Sequence, residues 1–351
     1  MRLLLVETWR YHIYGESFLR RLRVLGEVPL SFREEMFFRP RHGLPKPGAT
    51  LSSISCRLQE KFRCGPRVDL LNSELLSAVQ RLKPDAVVLF RGAQIFPETT
   101  AEIQRKGALV AGYNNDDPLS DKYPNYVWRH FAASIHSFDH LFAYRHRNIT
   151  EFRRLGARSV SLLRSFYLRE ENFPLPGPGS EADVSFIGHW EDDGRTACIE
   201  AILAQPKIRF RLWGTGWHRA PIASELGERF GPIQPLRGPS YNLAINRSKI
   251  SLVFLSSLNN DTYTRRCFEI PAAGGFMLAP FTDDLASLFR EGDEAEYFRS
   301  RDEMIDKILF YLRHDDERTR IARGGHERLR RDGHEALDRA RQMRDEIHRL
   351  L

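Results

Sequence analysis

Cysteine is scarce in this 351-residue chain, and so are long apolar runs. The four cysteines form no CxxC pair and no Cys/His cluster with metal-ligand spacing, which excludes a disulfide scaffold and a structural zinc site. Charged residues interrupt every apolar stretch before it reaches the length of a membrane span. The opening run, MRLLLVETWR, is too short for a signal peptide and predicts a buried first strand. We therefore expect a soluble protein of a reducing compartment, cytoplasmic, with association with the inner membrane face left open.

The net charge of +7 is unevenly distributed along the chain. Residues 1–175 carry 27 Lys and Arg against 18 Asp and Glu, and the remaining residues carry 26 against 28. A basic first half suits an anionic partner, such as a phosphorylated acceptor or an acidic membrane surface. An ordinary solvated surface explains the same charge equally well. The acidic second half argues against nucleic acid as the partner.

The length favours two domains, and one segment marks the boundary between them. The run PGPG at 176–179, two prolines alternating with two glycines, cannot continue a helix or a central strand. This predicts a linker at 173–181. Short apolar runs alternate with amphipathic stretches on both sides of the linker. This alternation predicts parallel sheets covered by helices, so the fold class is α/β. In such sheets ligands bind beyond the carboxyl ends of the strands.

The stretch DTYTRRCFEIPAAGG, at 261–275, follows a fully apolar predicted strand. Thr262 or Thr264 could cap the helix that begins there, leaving first-turn amides to face an anion. Arg266 suits a phosphate through its paired donors. Glu269, one turn later, could accept hydrogen bonds from the two hydroxyls of a ribose. A surface Arg/Glu pair explains the same residues equally well.

The context of this stretch resembles a known family. The sequence from SKISLVFL through RRCFEIPAAGGFMLAPF and LFREGDEAEYFRSRDEMIDKILFYL to ERTRIARGGHERL resembles the C-terminal domain of glycosyltransferases with the GT-B fold. It is most similar to the group-1 branch that includes the spore-maturation-protein-like (CgeB-like) proteins. The resemblance covers about a hundred residues in the correct order. It implies two Rossmann-like domains that face each other across a cleft.

The resemblance also implies which residues hold a nucleotide-sugar donor. Glu269 matches the acid that contacts the nucleotide ribose, Arg266 matches the arginine that faces the diphosphate, and Asp261 stands where a paired acid is expected. FIGHWEDDGR resembles the entry to the donor-binding domain, with Gly188 close to the donor and Arg195 in support.

Four further residues are candidates for the donor site. LWGTGW resembles the segment near the nucleotide base, so Trp217 and Tyr241 are candidate stacking surfaces, although either could be a core residue. Lys249 could aid the phosphates, or it could be a solvated lysine. Thr264 completes the predicted donor site.

The first half resembles the acceptor-side domain of the same family more loosely. The segment WRYHIYGES predicts a polar loop after the first strand, and it offers His12, Tyr14, Gly15 and Glu16 to acceptor hydroxyls. YNNDDP follows another predicted strand. Adjacent carboxylates raise each other's pKa, which suits a general base.

For the base, Asp117 is the first candidate and Asp116 the second, and a turn that caps the next helix is an equal alternative. Neither NDDP nor EDDG has Asp-x-Asp spacing, so we expect no essential metal.

Together these observations predict a metal-independent hexosyltransferase of glycan biosynthesis. The acceptor-side domain spans 1–172, the donor domain spans 182–334, and a helix at 335–351 packs back on the first domain. The donor is a nucleotide-diphospho-sugar, with UDP favoured and GDP or dTDP open, and no cofactor is expected. Two alternatives remain: an epimerase of the same fold, and a non-catalytic nucleotide-sugar-binding protein.

Overall fold

The structure is a computed structural model that describes residues 1–8, 12–39, 48–176 and 180–351. Its contacts divide the chain into two compact units. The first unit consists of Met1–Arg164 together with Ala336–Leu351, and the second consists of Ser165–Glu335. Each unit is built around one parallel sheet, so the predicted α/β fold is confirmed.

The predicted linker at 173–181 belongs to the second unit rather than to a boundary. The Phe173 carbonyl accepts a hydrogen bond from Asn242 Nδ2 at 2.9 Å, and the Leu175 amide donates to Asn246 Oδ1 at 2.7 Å. Because asparagine side chains satisfy this backbone, the segment packs in place instead of spanning a gap. The PGPG residues 177–179 lie outside the described residues.

The sheet of the first unit has six parallel strands in the order β2-β1-β3-β4-β5-β6. These strands are β1 (Arg2–Glu7), β2 (Val28–Arg33), β3 (Ala86–Phe90), β4 (Leu109–Asn114), β5 (His140–Ala143) and β6 (Val160–Leu162). The inner strands are almost wholly buried because helices cover both faces, which explains their continuous apolar sequence. Among the described residues before the second unit, the α-helices are α1 (His12–Val24), α2 (Gly48–Phe62), α3 (Pro66–Leu82), α4 (Pro97–Arg105), α5 (Arg129–Ser134) and α6 (His146–Arg154).

The sheet of the second unit has five parallel strands in the order β11-β10-β9-β7-β8. They are β7 (Ala182–Ile187), β8 (Phe210–Trp213), β9 (Ser248–Leu252), β10 (Met277–Pro280) and β11 (Glu296–Phe298). The helices of this unit are α7 (Arg195–Leu203), α8 (Ala223–Phe230), α9 (Pro239–Asn246), α10 (Arg266–Ala272), α11 (Asp283–Leu288), α12 (Arg301–Tyr311) and α13 (Asp315–Arg331).

Two adjacent glycines in α13 allow that helix to approach a turn of the backbone. A Cβ atom on Gly324 would lie 2.2 Å from the carbonyl oxygen of Asp293, and one on Gly325 would lie 2.3 Å from that of Glu294. Only glycine permits this contact. The same face of α13 reaches α10, where the His326 ring contacts the Pro271 carbonyl at 2.9 Å.

The last helix, α14 (Ala336–Leu350), is part of the first unit. It packs along α1, and Gln342 Nε2 donates a hydrogen bond to the Leu162 carbonyl at 2.7 Å. His348 Nε2 contacts Glu27 Oε1 at 2.9 Å, which ties the end of the helix to the start of β2. None of the helices in the described ranges is long and apolar enough to cross a bilayer.

Candidate functional site

The strand orders indicate where each sheet can bind a ligand. In the first sheet β2 lies on one side of β1 and β3 lies on the opposite side of β1, so the direction of the chain reverses there. In the second sheet the chain leaves β7 toward β8 and then places β9 on the opposite side. The loops that follow these strands separate at such reversal points and leave a crevice at the carboxyl edge of the sheet. The loops after β1 and β3 in the first sheet, and those after β7 and β9 in the second, are therefore the expected ligand-binding loops.

In the second unit, two glycines bring the loops after β7 and β8 together. Gly214 has φ of +148°, and a Cβ atom there would lie 1.8 Å from the carbonyl oxygen of Gly188. The same carbonyl accepts a hydrogen bond from the Trp217 indole at 2.9 Å. Trp217 is only 3% exposed. This corrects the prediction that Trp217 is a stacking surface for the base, since its ring is part of the core.

Glu269 lies in α10 and is only 5% exposed. The Tyr241 hydroxyl donates a hydrogen bond to Glu269 Oε2 at 2.7 Å. Arg265 forms an ion pair with Glu269 Oε1 at 2.9 Å. Burial, together with the charge of Glu269, raises the pKa of Tyr241 well above its usual value, so the phenol keeps its proton. Tyr241 therefore positions Glu269 through its hydroxyl, and stacking of its ring on a base stays a prediction.

Arg266 does not pair with Glu269, although the two residues are one helical turn apart. Its guanidinium carbon lies 5.7 Å from the centre of the Phe186 ring, at the end of β7. Its Nε is buried and has no hydrogen-bond partner among the described residues, nor does its guanidinium form an ion pair with any of them. Arg266 is half-buried, and a cation that loses water without gaining an anionic partner is costly, so this guanidinium is suited to an anionic ligand.

The two threonines near the start of α10 do not cap the helix. Thr262 Oγ1 donates to Asp284 Oδ2 at 2.6 Å, and the Thr264 carbonyl accepts from the Cys267 amide at 3.0 Å. Arg265 occupies the N-cap position of α10, and its side chain makes no capping hydrogen bond. The predicted capping role is therefore wrong. Asp261 lies half-buried in the same loop, and its amide donates to the Ser256 carbonyl at 3.0 Å.

A carboxylate that the sequence analysis did not single out, Glu191, links the loops after β7 and β9. It accepts hydrogen bonds from His189 and from Ser256, the latter at 2.7 Å. Burial raises its pKa, but these hydrogen bonds and the charge of Arg195 outweigh burial and hold the pKa at about 2. Glu191 is consequently ionised at neutral pH and fixes the two loops that flank Arg266.

Arg195 holds the loop after β7 in place through hydrogen bonds to Asp193 and to the His189 carbonyl. It is 2% exposed, its Nε donates to Asp193 Oδ1 at 2.7 Å, and its guanidinium also binds the His189 carbonyl. Its guanidinium carbon lies 6.0 Å from the centre of the Phe186 ring that Arg266 also contacts. Arg195 thus shapes the loop after β7, and its donors are used by the protein.

Lys249 lies at the wrong end of the sheet for a role at the phosphates. It is the second residue of β9, and its Nζ lies 3.4 Å from Oδ1 of Asp183, near the start of β7. The amino ends of parallel strands all lie at the edge opposite to the ligand-binding edge. This position contradicts the predicted contact between Lys249 and the donor.

In the first unit, the two adjacent aspartates after β4 differ sharply. Asp117 is fully buried, and its Oδ1 accepts hydrogen bonds from Asn148 at 2.8 Å and from the Leu119 amide at 3.1 Å. Asp117 therefore forms a turn, which is the alternative to its predicted role as the general base. Asp116 retains partial exposure and forms an ion pair with Arg91 at 2.9 Å.

The predicted acceptor loop WRYHIYGES is largely helical, because α1 begins at His12. Trp9, Arg10, Tyr11 and the His12 side chain lie outside the described residues. The Tyr14 ring packs 6.0 Å from that of Tyr113, and Glu16 forms an ion pair with Arg20 on the helix surface.

Gly15 has a structural role in this helix. A Cβ atom on Gly15 would overlap Oε2 of Glu7, the last residue of β1. Gly15 therefore makes room for a buried carboxylate that the sequence analysis had not singled out.

Residues 195–345, about two fifths of the chain, match the model of a family described as glycosyl transferase-like. No curated protein matches the sequence significantly.

Among solved structures, sucrose-phosphate synthase from Thermosynechococcus elongatus is similar over 100% of this chain and 99% of its own, with a TM-score of 0.74 at 11% identity. Anabaena HepE in complex with UDP and glucose is similar over 99% of each chain, with a TM-score of 0.69 at 12% identity. A glycosyltransferase from Rickettsia africae covers 99% of this chain and 98% of its own, with a TM-score of 0.67 at 11% identity. These likenesses show that the chain has the GT-B fold, whereas the CgeB-like branch stays a prediction.

Proposed function

We propose that this protein is a glycosyltransferase that moves a sugar from a nucleotide-diphospho-sugar to an acceptor hydroxyl. One observation carries the proposal. At the reversal point of the second sheet, the buried Glu269 carboxylate is held by Tyr241 and Arg265. The guanidinium of Arg266, one turn earlier in α10, has no ion-pair partner in the described ranges. A fixed acceptor for hydroxyl groups and a cation suited to phosphate on the same helix support the proposal.

The chemistry of the two side chains fits the two halves of a nucleoside diphosphate. Each carboxylate oxygen has more than one acceptor position, so Glu269 can still accept from the ribose hydroxyls while Tyr241 and Arg265 hold it. Arg266 would bind the diphosphate through paired N–H donors. Negative charge grows on the diphosphate as its bond to the sugar breaks, and a fixed guanidinium stabilises that charge.

A uridine nucleotide is the first donor to test. The HepE structure contains UDP and glucose, and this chain has the same fold. The family match over residues 195–345 includes Arg266 and Glu269. UDP-glucose is therefore the first donor we would supply, with GDP- and dTDP-sugars as the next candidates.

We further propose metal-independent transfer, because Arg266 supplies positive charge at the leaving group. Released nucleoside diphosphate is measured with a panel of nucleotide-sugars and hydroxyl acceptors, with and without excess EDTA. We expect acceptor-dependent release that EDTA leaves within about twofold. Loss of activity in EDTA that Mg²⁺ or Mn²⁺ restores would contradict metal independence. An altered sugar still attached to its nucleotide would favour an epimerase, and binding without any turnover would favour a binding protein.

For the general base we propose Asp116 in place of Asp117, because Asp116 keeps an accessible face beside Arg91. Its carboxylate would take the acceptor hydroxyl proton while the acceptor oxygen bonds to the anomeric carbon. The nucleoside diphosphate leaves with the electron pair of the broken bond. Asp116→Asn is expected to lower kcat by about 10²- to 10⁴-fold and to leave the donor Kd unchanged.

The matched control for this prediction is Asp121→Asn, an exposed aspartate of the same loop region. Steady-state kinetics and donor titration are compared for the two variants. If the kcat values of Asp116→Asn and Asp121→Asn both equal that of the wild type, Asp116 is not the base.

A further inference from the structure

A cavity lies in the first unit, at the carboxyl ends of three adjacent strands. Thr8, Glu34 and Arg91 directly follow β1, β2 and β3, and all three line this cavity. Its volume is about 140 Å³, well above the roughly 10–15 Å³ that one water molecule requires. It therefore has room for a ligand group much larger than a water molecule.

Two buried oxygen atoms in the lining have no hydrogen-bond partner among the described residues. One is Oε1 of Glu34, a side chain that is 6% exposed, and the other is Oε1 of Gln94, which is 3% exposed. The amide group of Gln94 is held in place because its Nε2 donates to the Glu60 carbonyl at 3.1 Å. Buried acceptors without donors destabilise a fold. Their presence in a cavity of this size indicates a ligand that supplies N–H or O–H donors.

The charges around Glu34 narrow the chemistry of that ligand. Glu35, Glu60, Arg63 and Arg91 also line the cavity, so carboxylates and guanidiniums face the same space. Burial raises the pKa of Glu34 to about 7, although Arg63 and Arg91 oppose this shift. A phosphate would meet three carboxyl groups, and an ammonium would meet two guanidiniums. Hydroxyl groups both donate and accept, so they match this mixed lining without a charge penalty.

We propose that this cavity binds a neutral polyhydroxylated ring of the acceptor, a sugar or cyclitol. Its hydroxyls donate to Glu34 Oε1 and Gln94 Oε1 and accept from the arginines. The inference rests on the proposed function, because it specifies the acceptor class of that reaction. It also places this ring next to Asp116, since Arg91 both lines the cavity and pairs with Asp116. An anionic acceptor, which the basic first half suggested, does not suit the cavity.

Sugar binding without donor tests the inference independently of transfer. Saturation-transfer difference NMR is recorded with methyl α-D-glucoside, methyl α-D-mannoside and myo-inositol, and with glucose 6-phosphate and glucosamine as charged probes. We expect at least one neutral probe to bind more tightly than both charged ones. Glu34→Leu and Gln94→Leu should each weaken that binding at least tenfold, since each removes an acceptor of a ligand hydroxyl. Glu74→Leu, at an exposed glutamate of α3, should leave it unchanged.

Thermal unfolding separates a ligand-binding role from a structural one. If Glu34 Oε1 has no partner in the free protein, Glu34→Leu should leave Tm unchanged or raise it. A lower Tm would show that the chain itself holds this carboxylate and would overturn the inference, as would unchanged sugar affinity in both variants. If Glu34→Leu does not fold, Gln94→Leu decides the question by the same criteria. Transfer to an acceptor without Glu34-dependent sugar binding would defeat only this inference, whereas Glu34-dependent binding without transfer would defeat only the proposed function.

Discussion

Glu269→Gln is expected to weaken binding of the nucleotide-sugar donor by about 100-fold while the protein stays folded. The substitution keeps the shape of the side chain but removes the charge that strengthens its hydrogen bonds to the ribose hydroxyls. Hydrogen bonds to a charged group contribute about 1.5–3 kcal/mol each, and a loss of about 3 kcal/mol corresponds to roughly 100-fold in affinity. Titration calorimetry with UDP-glucose, or with whichever donor the wild type binds, measures the effect.

Tyr241→Phe is the matched control for Glu269→Gln. It removes the hydrogen bond that the tyrosine donates to Oε2 of Glu269 but leaves the carboxylate in place. We expect it to lower Tm and to weaken donor binding by less than about tenfold. If Glu269→Gln and Tyr241→Phe both lower Tm but neither changes donor affinity, Glu269 is a structural residue of α10 and not a ribose ligand.

Arg266→Ala should distinguish the contribution of the diphosphate to donor binding from that of the nucleoside. We expect affinity for UDP to fall about 100-fold, because a charge-assisted, paired contact to phosphate is lost. Affinity for uridine, which has no phosphate, should change by less than about twofold. The removal of a cation that has no ion-pair partner among the described residues should cost little stability, and Tm should stay near that of the wild type.

Arg301→Ala provides the comparison for Arg266→Ala, since Arg301 is an exposed arginine in the same unit. Its UDP affinity should equal that of the wild type. A matching loss of uridine and UDP affinity in Arg266→Ala would mean that Arg266 shapes the pocket rather than binding phosphate. Equal UDP affinity in Arg266→Ala and the wild type would remove Arg266 from the site.

The fold class could be predicted because buried parallel strands leave a strong sequence signal. β3 begins and ends where its apolar run does, and β1 extends only one residue beyond its run at each end, since helices cover both faces of the sheet. β2 was not predicted. Its sequence, VPLSFR, contains Pro29, and a proline fits only a strand at the edge of a sheet, where β2 lies.

The candidate site was only partly predictable, because its supporting contacts join distant segments. Tyr241 and Glu269 are 28 residues apart, and nothing in either segment signals their hydrogen bond. The cavity of the first unit combines Glu34, Arg63 and Arg91, which come from three separate elements. By contrast, strand direction alone could have excluded Lys249, because it precedes the apolar part of β9 and so lies at the amino edge.

The most direct test of the central claim is titration of the wild-type protein with UDP, GDP, dTDP and their sugar conjugates, each beside the corresponding nucleoside. The account predicts that at least one nucleoside diphosphate and its sugar conjugate bind with micromolar Kd. The nucleoside alone should bind at least tenfold more weakly, because Arg266 acts on the diphosphate. Failure of every nucleotide and every nucleotide-sugar to bind would contradict the assignment of Glu269 and Arg266 to a donor site.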